Sequence, residues 1–85
     1  MDIDRIRKKI DEVDYEILKL INERIKLSLQ TRKFKSFIYD EKREKQVLMQ
    51  IKKHSRSFGF IQESFVEEFF KVVIKECRKV QNRKN

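Results

Sequence analysis

Residues Ile3 to Lys35 read IDRIRKKIDEVDYEILKLINERIKLSLQTRKFK, and the fold turns on this stretch. Apolar residues recur at Ile3, Ile6, Ile10, Val13, Ile17, Leu20 and Leu27. Steps of three and four are helical and close to heptad spacing. No glycine or proline interrupts them, so the spacing predicts one helix of roughly 33 residues, ~50 Å long at 1.5 Å per residue. A compact chain of 85 residues has a radius of gyration of only about 12 Å. Such a helix projects from its own chain's core, and its seam then needs a second copy to cover it.

Outward from that helix, Ser36 to Tyr39 reads as a short connection. Asp40 is a good N-cap, with Glu41 in the first turn, for a second helix to about Ser57. Val47, Leu48 and Ile51 form its apolar stripe, and Phe58-Gly59-Phe60 breaks it. A third helix from about Gln62 to Gln81 carries Phe65, Val66, Phe69, Phe70, Val73, Cys77 and Val80 on a wide face. The polar tail, residues 82–85, is expected to fray. The expected architecture is all-α: one domain over residues 1–85, three helices with a very long first one, paired as an intertwined homodimer.

Composition supports the pairing. A domain this small buries about 60% of its unfolded surface, and small scaffolds usually add a disulfide, a metal or a partner. Cys77 is the only cysteine and His54 the only histidine, so neither a disulfide nor a metal cluster is expected. No apolar run suits a signal peptide or a membrane span; with one free thiol, the expected compartment is the cytoplasm. The net charge of +8, from 22 Lys and Arg against 14 Asp and Glu, suits an anionic partner without choosing one. Many of these cations simply solvate helix faces.

A few polar residues stand out against that background. Counted along the seam, the step of four after Leu20 lands on Arg24. A cation there is costly to bury unless an anion meets it, although a register-setting or snorkelling arginine is the alternative. Lys35 follows Arg24 by eleven residues, close to three turns, so the two share a face ~16 Å apart. Arg7 precedes Arg24 by seventeen residues, about 100° round the helix and ~25 Å away. One small ligand cannot be clamped by both from one straight helix. If both serve one site, Arg7 comes from the partner chain. Cys77 and Gln81 are an i, i+4 pair facing the core side of the third helix. On the second, Glu44 sits beside Arg43, one turn before Val47 and Leu48.

Five blocks carry a resemblance: Ile6-Arg7-Lys8-Lys9-Ile10-Asp11-Glu12-Val13-Asp14, Ile17 to Arg24, Arg32-Lys33-Phe34-Lys35, Asp40-Glu41-Lys42-Arg43-Glu44, and Cys77-Arg78-Lys79-Val80-Gln81. In this order and spacing the chain resembles the all-α chorismate mutases over nearly its whole length. The resemblance implies a dimer of three-helix chains whose long first helices span two equivalent sites. It implies a cofactor-free and metal-free isomerase that converts the dianion chorismate to prephenate in phenylalanine and tyrosine biosynthesis. Arg7 of one subunit and Arg24 of the other would bind the two carboxylates. Lys35 would reach a carboxylate and the ether oxygen, and Gln81 the same ether oxygen. Glu44 and the backbone at Asp40 would hold the ring hydroxyl, with Arg43 closing that side. Two departures stand: family members commonly carry serine where Cys77 stands, its hydroxyl near a substrate carboxylate, and a thiol is a weaker donor, which leaves Cys77 between substrate contact and packing; the connection from Lys35 to Asp40 is also short.

The chemistry fits these residue types. A dianion calls for fixed cations, and arginine offers each carboxylate a bidentate fork. A unimolecular rearrangement calls for conformational restriction and preorganised charge, not proton transfer. Rival readings are an isochorismate pyruvate lyase or an aminodeoxychorismate mutase on the same scaffold, or a basic helical dimer that binds nucleic acid. The Asp40 to Glu44 block favours a hydroxyl-bearing substrate. No helix-turn-helix turn, basic region joined to the heptads, or aromatic-laced basic patch supports nucleic acid as a partner, and no membrane partner is expected.

Overall fold

The computed structural model describes residues 2–34 and 39–83. Within them the chain is all-α. Helix α1 spans Ile3–Thr31, α2 Glu41–Ser55 and α3 Glu63–Gln81, with a 3-10 turn at Arg32–Phe34. Helix α1 starts at Asp2, whose side chain accepts from the Arg5 backbone N–H at 2.9 Å. That acceptor satisfies one of the donors left open in a first turn.

The α-helical part of α1 stops four residues short of the expected Lys35, which itself lies outside the described residues along with Ser36 to Ile38. Two local bonds mark the stop. The Thr31 hydroxyl donates back to the Ser28 carbonyl at 2.7 Å, and the Arg32 N–H closes onto Leu29 O. Hydroxyl back-bonding and an i to i+3 closure both tighten a final turn. Helix α2 begins as expected, with Asp40 accepting from Arg43 N at 3.0 Å. It ends two residues before the expected Ser57, because Arg56, Ser57 and Phe58 N–H groups close on carbonyls three residues back. Helix α3 starts at Glu63 after an N-cap Gln62 whose side chain makes no capping bond. Of the expected frayed tail, Lys84 and Asn85 lie outside the described residues.

Pairing gives the register. Arg24 meets Cys77 and Ser28 meets Gln81, so α1 and α3 run parallel. Glu44 meets Arg78, Lys52 meets Glu67 and Arg56 meets Glu63, so α2 returns antiparallel along α3. The Arg56 contact holds the Glu63 carboxyl below its ordinary 4.5, first by its hydrogen bond and then, against some desolvation, by the charges of Arg56 and Lys52.

The core belongs to α3. Val66, Val73, Ile74 and Cys77 are buried there, and Val47, Leu48 and Ile51 of α2 are half-buried against them. Phe69 stacks on Phe65 at 5.8 Å and meets Phe70 edge-on at 5.4 Å. No residue of α1 is buried. Its half-buried row is Ile21, Arg24, Ile25 and Ser28, while the seam read from the sequence stays open, Ile10 at 52% and Val13 at 57% exposure. The two are one stripe: Ile21, Arg24 and Ser28 follow Ile3, Ile6 and Ile10 by eighteen residues, about five whole turns, so Arg24 keeps the seam position that stepwise counting assigns it, where the seam meets α3. The chain is 53 Å long with a radius of gyration of 15.8 Å, well above the ~12 Å of a compact chain this size. Among the described residues no helix is long and apolar enough to cross a membrane.

Candidate active site

A cavity of about 400 Å³ opens where the C-terminal ends of α1 and α3 meet the start of α2. Helical steps of three and four deliver its walls. Arg24, Ser28 and Thr31 come from α1, and Ile74, Cys77, Arg78 and Gln81 from α3. The first turn of α2 contributes Asp40, Arg43 and Glu44, with Val47 one turn further on. This size suits a small organic ligand.

Six of the eight residues singled out in the sequence converge here: Arg24, Asp40, Arg43, Glu44, Cys77 and Gln81. Arg7 does not. It lies on the exposed N-terminal part of α1, 3.9 Å from Asp4 and ~25 Å along the helix from Arg24. The eighth, Lys35, lies outside the described residues.

Each side chain already has a local partner. Arg24 Nη1 donates to Cys77 Sγ at 3.1 Å. Gln81, only 3% exposed, donates from Nε2 to the Ser28 carbonyl at 2.6 Å and sits 3.4 Å from Thr31 Oγ1. Buried amides need such partners. Asp40's carboxylate caps α2 by accepting from Arg43 N, so its contribution to the cavity is the helix start it fixes. Arg43 Nη1 turns outward to Gln46 Oε1 at 2.8 Å.

Sequence reasoning missed Arg78 as a site residue. Its Nε lies 3.1 Å from Glu44 Oε2, and its Cζ stands 4.7 Å from the Tyr39 ring centroid. The Nε–H is buried and finds no directed hydrogen bond among the described residues; the contact with Glu44 is close in distance but not aligned, so it is coulombic. A signal was available, since Arg78 follows Ile74 by four and precedes Gln81 by three, on the same face. Ser28 and Thr31 were missed as well, and they are one turn and two turns beyond Arg24.

Chemically, the cavity sets the Arg24 and Arg78 guanidinium groups beside the Glu44 carboxylate, with a buried amide donor at its α1–α3 wall. It can hold a small polyanion and present a neutral donor to it. Among the described residues no group of His, Cys, Asp and Glu side chains gathers as a metal site. The family model described as chorismate mutase type II matches residues 6–82. No curated protein and no solved structure matches the chain.

Proposed function

The chain belongs to the chorismate mutase type II family, and from that premise we propose that it converts chorismate to prephenate as an intertwined homodimer. The supporting observation is the convergence of Arg24, Glu44 and Gln81 on one cavity while Arg7 stands far off on an uncovered apolar seam. A second copy laid along that seam would remove its apolar side chains from water, at about 25 cal/mol per Å² buried. It would also bring its own Arg7 toward this cavity. We place the whole chain, residues 1–85, in one domain of that dimer, acting in the cytoplasm in phenylalanine and tyrosine biosynthesis.

In this reading Arg24 and the partner chain's arginine at position 7 each bind one substrate carboxylate in bidentate fashion. Glu44 accepts from the ring hydroxyl, with the backbone at Asp40 beside it, and Arg43 closes that side. The reaction breaks a C–O bond and forms a C–C bond within one molecule, so the protein's work is to hold the compact conformer. Negative charge grows on the ether oxygen as its bond breaks. Lys35 and Gln81 are the donors assigned to it, a fixed charge and a fixed dipole set before the reaction begins. Cys77 takes its place in the cavity wall through Arg24.

The test is direct. Purified protein is mixed with chorismate in the presence of a chelator, the loss of chorismate absorbance is followed, and the product is identified. Prompt formation of prephenate is expected. A folded dimer that leaves chorismate unchanged would overturn the proposal, and conversion of isochorismate or the amino analogue instead would redirect it to a sibling reaction.

A further inference from the structure

The geometry points to Arg78 as a positioning residue for Glu44, an inference that rests on the mutase reading of the cavity and adds a residue to it. The three parts of its guanidinium surroundings are distinct. One face lies over the Tyr39 ring at 4.7 Å, its Nε edge lies 3.1 Å from Glu44 Oε2, and the side chain lines the cavity. A guanidinium over a ring face keeps its planar orientation while its edge remains available.

Glu44 needs such a hold. Its side chain is 21% exposed, and the arginine next to it in sequence, Arg43, turns to Gln46. Left alone, a glutamate at the edge of a cavity samples several rotamers and loses freedom when a ligand fixes one of them. Arg78 occupies the Oε2 side, which leaves Oε1 to accept from a substrate hydroxyl. The pair also joins α2 to α3, so the mouth of the cavity is set by a contact between helices rather than by one helix alone. Tyr39 directly precedes the Asp40 cap, and stacking there ties the start of α2 to the same guanidinium.

A double-mutant cycle tests this. Arg78→Met is expected to raise KM for chorismate about tenfold with kcat changed less than about threefold, since a hydroxyl contact made equally in ground and transition states appears in KM. Arg78→Lys, which keeps the charge without the planar fork, should recover part of the loss. In a Glu44→Gln background Arg78→Met should change KM by less than about twofold, because its route through the carboxylate is gone. An equal KM rise in both backgrounds would overturn the positioning role. The thermal midpoints of the same four proteins give a readout independent of turnover. Less-than-additive losses for positions 78 and 44 support the coupling, and additive losses overturn it even if chorismate is not the substrate. Should Arg78→Met fail to fold, Arg78→Lys completes the same cycle.

Discussion

Arg24 on the first helix donates from Nη1 to the sulfur of Cys77 on the third, at 3.1 Å. Sulfur is a weak acceptor. A guanidinium parked on it gives up little when a carboxylate arrives, whereas an ionic partner would hold it back. The thiol is 5% exposed, so it also packs the joint between the two helices. Sequence reasoning left Cys77 between ligand contact and packing; its partner across the α1–α3 joint is Arg24.

The nature of that partner is therefore expected to govern substrate capture. Cys77→Ser should leave kcat/KM within about threefold of the parent, because a hydroxyl still accepts from Arg24 without neutralising it. Cys77→Asp should lower kcat/KM by at least ~100-fold, chiefly through KM, as its carboxylate takes the fork that the proposed mechanism assigns to the substrate. Steady-state kinetics beside an unchanged helical circular dichroism spectrum check this. Tight chorismate binding by Cys77→Asp would remove Arg24 from the list of carboxylate ligands.

Gln81 serves the fold and, in the proposed mechanism, the reaction. Its amide donates to the Ser28 carbonyl at 2.6 Å from an almost fully buried position. Gln81→Leu keeps the bulk and removes the donor. Losing one neutral hydrogen bond costs about 1 kcal/mol, a Tm decrease of roughly 4–8 °C in a domain of this size. Loss of a donor to the ether oxygen should lower kcat at least ~tenfold, well beyond what the surviving folded fraction explains. Turnover equal to the parent's, with Tm reduced, would leave Gln81 a structural residue only.

Much of this arrangement is legible in the sequence, and the unread parts have physical causes. Asp40 is recognisable as a cap because capping depends on local backbone chemistry alone. The end of α1 is not, since it is set by a hydroxyl bond from Thr31 and a tightened turn, neither of which alters apolar periodicity. Arg24 is flagged as a cation on the apolar seam, and it stands at the part of that seam which meets α3. Counting by threes and fours follows the stripe but does not show where α3 covers it: Ile21, Arg24, Ile25 and Ser28 are half-buried there, while the N-terminal part stays open. Arg78 is one of 22 basic residues, and only the approach of α2 in space separates it from those that merely solvate the surface. Lys35, prominent in the sequence, falls outside the described residues.

The Arg56–Glu63 contact between the C-terminal end of α2 and the start of α3 carries a pH dependence. Glu63 is held below its ordinary 4.5, mainly by its hydrogen bond from Arg56. The unfolded chain then binds more protons than the folded one just below that value, so stability drops as the pH is lowered there. The stabilisation is fully present above about pH 4.5 and is lost as pH drops through the lower folded value. Glu63→Gln should thus reduce Tm slightly at neutral pH, and the difference from the parent should shrink as pH falls below ~4.5 and as salt is added. A Tm gap that is constant with pH and salt would mean that packing, not charge, links these residues.

The proposed sharing of sites between two chains makes a quantitative demand. Arg7 and Arg24 of one chain are ~25 Å apart on the same helix, and only Arg24 lines the cavity. If each site takes Arg24 from one chain and the arginine at position 7 from the other, Arg7→Ala and Arg24→Ala homodimers each have two damaged sites. Co-refolding equal amounts makes half the dimers mixed, and each mixed dimer holds one site with both arginines intact and one with both missing. About a quarter of the parent activity per chain should return from two nearly inactive proteins. Sedimentation of the mixture verifies that dimers formed. If activity stays at the average of the two separate variants while mixed dimers are present, the sites are not built across the seam.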